Sequence, residues 1–341
     1  MRIDLQLTGG LTEVAAHATR IADIGSDGAF VFEGPGDPFL PLAVAGAAGV
    51  ELDLYPNVAI APPRSPMHLA LSAWDLQRAS DGRFALGLGT QIRPHIERRF
   101  GMPWWPPITR MREVLRALRA IFAAFQEGTP LAYEGETTAH TLLPPTLAPP
   151  PLASGPPPLW CAAVGPQMTR LAAAEADGLV THPLASARTL AEHSLAHLGE
   201  GLAAAGRQRE ELTVVGNVLV ALHGEDEDPR PATDTLRAIV GFYGSTPSYR
   251  VLLEVHGRGD LQPRLRELTR AGRWSELPDL VDDELVRTFT VCAPPAAAAQ
   301  QIVERFGGIA DRVALGVHHG DEGLVAELVA QLHARRPDPL R

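Results

Sequence analysis

The sequence predicts an α/β fold, a (β/α)8 or TIM barrel with an inserted helical segment between strands 7 and 8. Strand-like runs alternate with helical runs from the first residue, and eight strand-helix units can be counted along the 341 residues. Such a count suits either a closed barrel or a doubly wound open sheet. Because no complete Gly-x-Gly-x-x-Gly motif follows the first strand, the dinucleotide-binding open sheet is disfavoured. The barrel is therefore the predicted architecture.

Two periodicities of apolar residues, one typical of strands and one typical of helices, predict the elements in order along the chain. Short apolar or alternating runs predict strands at residues 2–8, 28–33, 52–61, 83–90, 159–164, 178–182, 212–222 and 312–317. Apolar positions three and four residues apart predict helices at residues 12–24, from 39, from 66, and at 107–126, 166–176, 187–205, 296–306 and 321–334. Ser65 and Pro66 suit an N-cap and a first helical position, which places the start of the third helix.

Two stretches interrupt the alternation. Residues 141–158 contain 8 prolines in 18 positions, which is too many for a helix or a central strand. A linker between two domains is one interpretation of this segment. Because the same alternation resumes after it, we interpret it instead as a long loop within one barrel. Residues 223–290 carry charge-rich helical pieces and form the expected insertion, so that residues 1–341 are expected to be a single domain.

Composition excludes several function classes. The chain has 30 basic residues, all of them Arg, against 40 acidic residues, and a formal net charge of -10. Because the net charge is negative, no concentrated basic face for nucleic acid is expected. Without Lys there is neither a Schiff-base nucleophile nor a P-loop ammonium. Two distant cysteines and the lack of a His-Glu-x-x-His or Gly-x-Ser-x-Gly motif predict neither a metal site nor a hydrolase. With no signal peptide and no membrane-length apolar run, we expect a cytoplasmic protein without a membrane partner.

Three strand ends carry features that suit a ligand site, because barrel enzymes bind at the C-terminal ends of their strands. Gly165-Pro166-Gln167-Met168 opens a helix directly after a strand, where free backbone N–H groups suit a phosphate, although an ordinary tight turn has the same sequence. The run 87–90 ends in Thr90 and contains two glycines, which indicates close approach of either a ligand or a neighbouring strand. Pro56 cannot donate to a central ladder and predicts a bulge or kink in the third strand.

Ionisable and aromatic residues near these ends are weaker candidates. His95 and Glu97 follow the fourth strand and form the preferred ionisable pair, with solvated loop positions as the alternative. Arg64 lies just past a strand end, where an anion or a surface ion pair is equally consistent with the sequence. His182 ends the sixth strand and 318–319 ends the eighth, and a structural role is the favoured interpretation for these histidines.

The chain resembles the bacterial luciferase-like family, in particular its coenzyme F420-dependent oxidoreductases. The resemblance covers nearly the whole chain and rests on the stretches 60–71, 82–91, 93–101, 162–168 and 176–178. It implies a TIM barrel that binds F420, or alternatively FMN, across the strand ends. By resemblance, the cofactor would contact Glu33, a cis-peptide bulge near Asn57 and Val58, Thr90, Gln91, Val164, Gly165, Pro166, Gln167 and Met168.

Departures from the family pattern limit what the resemblance implies about the reaction. Sugar-phosphate members have an Asp-His pair at the end of strand two and a Glu after the strand-four Gly-Thr, where this chain has Glu33-Gly34 and Ile92. The resemblance therefore implies hydride transfer to or from a different small organic substrate, with His95 as the candidate catalytic group for proton transfer. An FMN-dependent monooxygenase and a noncatalytic binding protein stay open as alternative functions. The oligomeric state also stays open, with a homodimer as one option.

Overall fold

Strands and helices alternate along residues 1–335, which are the residues that the computed structural model describes. The strands are β1 (Arg2–Gln6), β2 (Gly28–Val31), β3 (Asp53–Pro56), β4 (Ala59–Ile60), β5 (Leu86–Gly89), β6 (Tyr133–Glu134), β7 (Ala139–His140), β8 (Leu159–Ala162), β9 (Gly178–Val180), β10 (Thr213–Leu222), β11 (Thr290–Ala293) and β12 (Arg312–His319). The helices are α1 (Val14–Asp23), α2 (Phe39–Ala47), α3 (Pro66–Ala79), α4 (Arg93–Arg98), α5 (Pro107–Glu127), α6 (Pro166–Glu175), α7 (Ala187–Thr189), α8 (Leu195–Ala205), α9 (Arg230–Gly244), α10 (Arg250–Glu254), α11 (Leu261–Arg270), α12 (Asp283–Phe289), α13 (Pro295–Phe306) and α14 (Glu322–Ala334).

The main sheet is parallel and closes on itself. Its order is β3-β2-β1-β12-β10-β9-β8-β5-β4, with β11 paired to β10 outside this path. β3 and β4 are the two halves of one barrel strand, because β3 pairs with β2, β4 pairs with β5, and a parallel bridge joins Leu54 to Phe84. Counted in this way, eight strand positions surround the interior, and the predicted (β/α)8 barrel is confirmed.

Alternation along the strands separates two apolar layers. Outward residues such as Ile3, Leu54 and Leu86 are buried against the surrounding helices. Inward residues from six strands, and one from just before β5, fill the interior; these are Phe30, Tyr55, Ala85, Trp160, Val180, Val215 and Ala314. The barrel is thus a packed core rather than a pore, and a ligand can enter only above this interior layer, toward the C-terminal strand ends.

A buried ionic network lies at the N-terminal end of the barrel. Arg312 donates through Nε and Nη2 to the two carboxylate oxygens of Asp4, at 2.8 and 2.6 Å, and through Nη1 to Asp53 at 2.6 Å. Tyr55 Oη donates to Asp4 at 2.7 Å. Asp4 is completely buried, so its charge depends on these partners. The network fastens strands β1, β3 and β12 at the end opposite the candidate site.

The predicted insertion between the seventh and eighth strands is confirmed, and the structure adds elements that the sequence did not predict. Helices α9 to α12 fill most of residues 223–290, and the segment returns through β11, which pairs in parallel with the second half of β10. The sequence also did not predict the short hairpin of β6 and β7. The helix predicted at 187–205 is broken by a π-helical turn at Leu190–Ser194.

The Pro-rich segment 141–158 lies along α3 and α5 and contains only a short 3₁₀ turn at Pro145–Leu147. Trp74 Nε1 donates to Pro150 O at 3.0 Å, and Gln126 makes two hydrogen bonds to the backbone of Leu152. Residues 336–341 lie outside the described residues, so the extent of the predicted domain at the C-terminus stays a prediction.

Candidate functional site at the C-terminal ends of the strands

A bulge interrupts the third barrel strand where Pro56 predicts a kink. β3 ends at Pro56, the Asn57–Val58 peptide bond is cis, and the strand resumes at Ala59. Asn57 N donates to Val31 O at 2.7 Å, which keeps the bulge attached to β2. The kink inferred from Pro56 is confirmed, and the cis peptide lies at the position that the family resemblance implied.

The glycines of β5 are explained by this bulge. A Cβ atom on Gly87 would lie 2.1 Å from Pro56 O, and one on Gly89 would lie 2.6 Å from Val58 Cγ2. Neither distance is compatible with an ordinary side chain. Of the two interpretations that the sequence left open for residues 87–90, close strand packing therefore accounts for both glycines.

The side chain of Asn57 pairs with a second amide inside the barrel. Its Nδ2 donates to Asn217 Oδ1 at 2.6 Å, and Asn217 Nδ2 donates back to Asn57 Oδ1 at 3.2 Å. Asn217 lies on β10, is 8% exposed, and also donates through Nδ2 to Thr181 O at 2.6 Å. The third and seventh barrel strands are on opposite sides of the barrel, so this amide pair spans its interior. No sequence signal links two asparagines that are 160 residues apart.

The residues that follow β5 adopt a tight conformation. Thr90 is half-buried directly after the strand. Gln91 has a φ of 56°, which is uncommon for a residue other than glycine. Its side-chain oxygen accepts a hydrogen bond from Ile92 N at 2.9 Å, which leaves its amide NH₂ as the group that could contact a ligand.

Helix α6 begins at the end of β8 without a side-chain cap. Gly165 is the N-cap residue, with an extended φ of -86°, and Pro166 occupies the first turn. No heavy atom lies within 4 Å of a Cβ built on Gly165. Gln167 is exposed, whereas the Met168 side chain is 8% exposed and its sulfur lies 3.9 Å from Cys161 Sγ. Met168 could therefore contact a ligand through its backbone N–H only.

The bulge and the start of α6 lie on the two strands that flank β5. β4 and β8 pair with the two edges of β5. Val58 and Ala162 pack against the same interior cluster, and a Cβ on Gly89 would lie 3.8 Å from Ala162. The sequence-predicted residues of three adjacent strand ends are therefore brought together by the fold.

Glu33 is held by protein groups. Its Oε2 accepts from Ile60 N and from Arg64 Nη1, each at 2.6 Å, and its side chain is only 4% exposed. Arg64 also donates to Asp37 at 2.9 Å. Of the two interpretations of Arg64, the ion pair is the one observed. The predicted cofactor contact of Glu33 stays a prediction, and its carboxylate is already engaged in fixing the β2 loop to β4.

His95 lies on α4, just beyond Gln91. Its Nδ1 is buried without a hydrogen-bond partner among the described residues. Burial, with a further contribution from the charge of Arg99, lowers the pKa of His95. The imidazole is consequently neutral at pH 7. Glu97 pairs with Arg93 at 3.0 Å on the exposed face of the helix, which is the solvated position that the sequence left open as the alternative.

An aromatic wall that the sequence did not predict covers the end of β9. The His182 ring centroid lies 3.9 Å from that of Tyr249 and 5.1 Å from that of Tyr243, both from the insertion. His182 Nδ1 accepts from Leu184 N at 3.1 Å. Burial lowers the pKa of His182 to about 3. This wall, which we call the His182 wall, is therefore uncharged at neutral pH.

The fold defines a class: (β/α)8 barrel proteins, whose enzymes bind their ligands at the C-terminal ends of the strands. The model of the luciferase-like monooxygenase family matches residues 2–312. The chain belongs to this family of enzymes, as its resemblance predicted.

Similar proteins and solved structures match most of the chain. An uncharacterized protein of Mycobacterium tuberculosis is 43% identical over 313 residues, 92% of each chain. The 5,10-methylenetetrahydromethanopterin reductase of Archaeoglobus fulgidus is 28% identical over 70% of this chain and 69% of its own. The solved coenzyme F420-dependent tetrahydromethanopterin reductase of Methanopyrus kandleri superposes with a TM-score of 0.79 at 22% identity, covering 96% of both chains, and supports the same barrel fold.

Proposed function

We propose that the protein is a coenzyme F420-dependent oxidoreductase that acts on an uncharged small organic substrate at the mouth of the barrel. The observation that carries this proposal is the meeting of the Asn57–Val58 bulge, Thr90 and the uncapped start of α6 on three neighbouring strand ends. The F420 dependence named for the solved Methanopyrus kandleri reductase, which shares the fold, supports the choice of cofactor. When bound, F420 supplies a ring carbon that accepts or donates a hydride.

The residues present fit such a cofactor. The first-turn N–H groups of α6 have no side-chain cap, and the space beside Gly165 is open. Backbone N–H groups at a helix start, with the helix dipole behind them, favour a phosphate. Gln167 and Met168 would supply these N–H groups, and Val164 and Pro166 would shape the turn. Because the chain has no Lys, backbone donors and Arg must bind all anionic parts of the cofactor.

The remaining predicted contacts would orient the ring and the substrate. Val58 presents an apolar side chain at the bulge, and Thr90 offers a hydroxyl beside it. His95 is the proposed proton-transfer group, because its imidazole is neutral and its Nδ1 has no partner. The uncharged His182 wall favours an uncharged substrate, since burying an anion there would cost free energy without a compensating cation. Tyr243 and Tyr249 of the insertion already pack over His182, and this cover would help to exclude water from the site.

We also propose that the protein acts in the cytoplasm as a homodimer of single-domain chains. Both cysteines are free, which suits a reducing compartment. Helix α2 contains no polar or charged residue, yet Leu40 is 56% exposed on it and Leu71 is 38% exposed on the adjoining α3. An apolar surface of this kind suits contact with a second copy. Within residues 1–335, no helix has the length and hydrophobicity required to cross a bilayer.

A titration of the purified protein tests the cofactor. Intrinsic fluorescence is followed as F420 and, separately, FMN are added. Micromolar affinity for F420 and weaker affinity for FMN is the expected result. The reverse order would favour the flavin-dependent monooxygenase alternative, and binding of neither would leave the noncatalytic alternative.

A pair of glycine variants tests the phosphate assignment. Gly165→Leu should weaken cofactor binding by at least tenfold, because its side chain would fill the open space at the start of α6. Gly199→Leu is the matched control, since Gly199 lies on the exposed face of α8 and also has open space at its Cβ position. Equal affinities for the two variants would refute the assignment.

A further inference from the structure

The amide of Asn217 has a fixed orientation. Its NH₂ group donates to Thr181 O at 2.6 Å, and a backbone carbonyl oxygen can only accept. The Nδ2 atom of Asn217 must therefore face Thr181, and Oδ1 must face Asn57. A flipped amide would place two oxygen atoms against each other. Asn217 N also donates to Thr181 Oγ1 at 3.0 Å, which holds the residue in register with β9.

This orientation determines that of Asn57. Because Asn217 presents Oδ1, Asn57 must turn its Nδ2 toward it, as the 2.6 Å contact shows. An amide nitrogen carries two N–H groups, and Asn217 uses one of them. No partner for the second N–H of Asn57 is found among residues 1–335, and Asn57 is only half-buried. The backbone carbonyl of Thr181, directly after β9, thus fixes the orientation of Asn217, and Asn217 in turn fixes which polar group Asn57 presents at the bulge.

We propose that Asn217 is a positioning residue that locks Asn57 with one N–H donor available to the cofactor ring. The recognised group is a carbonyl oxygen or unprotonated nitrogen of the pyrimidine part of the ring, which F420 and FMN share. This inference rests on the proposed function, since it requires a ring to lie at the bulge. It goes beyond it because Asn217 needs no contact with the ligand and acts only by fixing Asn57.

The arrangement also predicts an electronic effect. A neutral donor to the pyrimidine part of the ring stabilises the negative charge that develops there on reduction. Losing the donor should make reduction of the bound cofactor less favourable. A residue that merely contributed to folding would leave the midpoint potential of the bound ring unchanged.

The test is a double-mutant cycle read by cofactor binding and by midpoint potential. Asn57→Ala removes the donor, Asn217→Ala releases it, and the double variant does both. We expect each single variant to bind F420 about three- to tenfold more weakly, and the double variant to bind no more weakly than Asn57→Ala. The midpoint potential of bound F420 should become more negative by a similar amount in all three. Gln77→Leu is the matched control, because Gln77 is a buried amide that joins two elements near the opposite end of β5.

The outcomes separate this inference from the proposed function. If wild-type protein binds F420 but Asn217→Ala has wild-type affinity and potential, Asn217 has no positioning role. Strictly additive losses in the double variant would likewise overturn the inference, since they mean that the two amides act independently. If wild-type protein binds FMN instead, the same cycle is run with FMN. Failure of wild-type protein to bind either compound overturns the proposed function and this inference with it.

Discussion

Substitution of Gly87 by Ala should disturb the packing of β5 against the bulge between β3 and β4. The new Cβ would lie 2.1 Å from Pro56 O, whereas real Cβ contacts almost never fall below 3.0 Å. The obstacle is a backbone oxygen in the strand that carries the cis peptide, so no side chain can rotate away. Either strand must move by about 1 Å, and overpacking of this kind costs typically 1–3 kcal/mol and sometimes more. We expect about 3 kcal/mol for Gly87→Ala.

Urea unfolding followed by circular dichroism measures this cost. With a slope of about 3 kcal/mol/M for a chain of this size, a loss of about 3 kcal/mol lowers the midpoint by about 1 M. Gly165→Ala is the matched control. It has open space at its Cβ, and an N-cap glycine changed to alanine should cost less than about 1 kcal/mol. If both variants unfolded at the wild-type midpoint, the explanation of the β5 glycines by strand packing would be wrong.

Three further changes test other parts of the structure. Arg312→Met leaves Asp4 buried without its cation and should destabilise the protein by about 3–5 kcal/mol in thermal unfolding, and a loss below about 1 kcal/mol would show that the network is not needed. Burial holds the pKa of His182 at about 3, so the unfolded chain binds its proton near pH 6.5 while the folded chain does not. The free energy of unfolding should therefore fall as the pH drops from 6.5 to 3, by about 2 kcal/mol at pH 5. His182→Phe should lack this contribution to the pH dependence. The same pH dependence in both proteins would contradict the burial of the imidazole. Gln126→Leu removes both hydrogen bonds to Leu152, so we expect about 1–2 kcal/mol of destabilisation and faster proteolysis within 141–158, and unchanged cleavage would refute this role.

Local chemistry explains which features could be predicted from the sequence. Pro56 lacks an N–H, so the interruption of its strand followed from one residue. Ser65 accepts from Met67 N as an N-cap residue should, and Pro66 occupies the first turn as predicted. The barrel followed from the repeated alternation of strand and helix. Each of these rests on a backbone property that a short stretch of sequence determines.

Features that depend on distant contacts were missed. The β6 and β7 hairpin has two-residue strands and is fixed by Glu113, which accepts from Thr137 N at 2.7 Å. Two-residue strands carry no periodicity. β11 exists because β10 offers a free edge beyond β9. The pairing of Asn57 with Asn217 depends on the closure of the barrel, which brings opposite strands within reach.

Amide hydrogen exchange with and without saturating F420 tests the central claim most directly. The claim is that one ligand lies across the Asn57–Val58 bulge and the uncapped start of α6. We therefore predict slower exchange, in the same experiment, for peptides that cover 57–60 and for peptides that cover the amides of Gln167 and Met168. Protection confined to other surfaces, or no protection at either strand end while F420 is bound, would contradict the account.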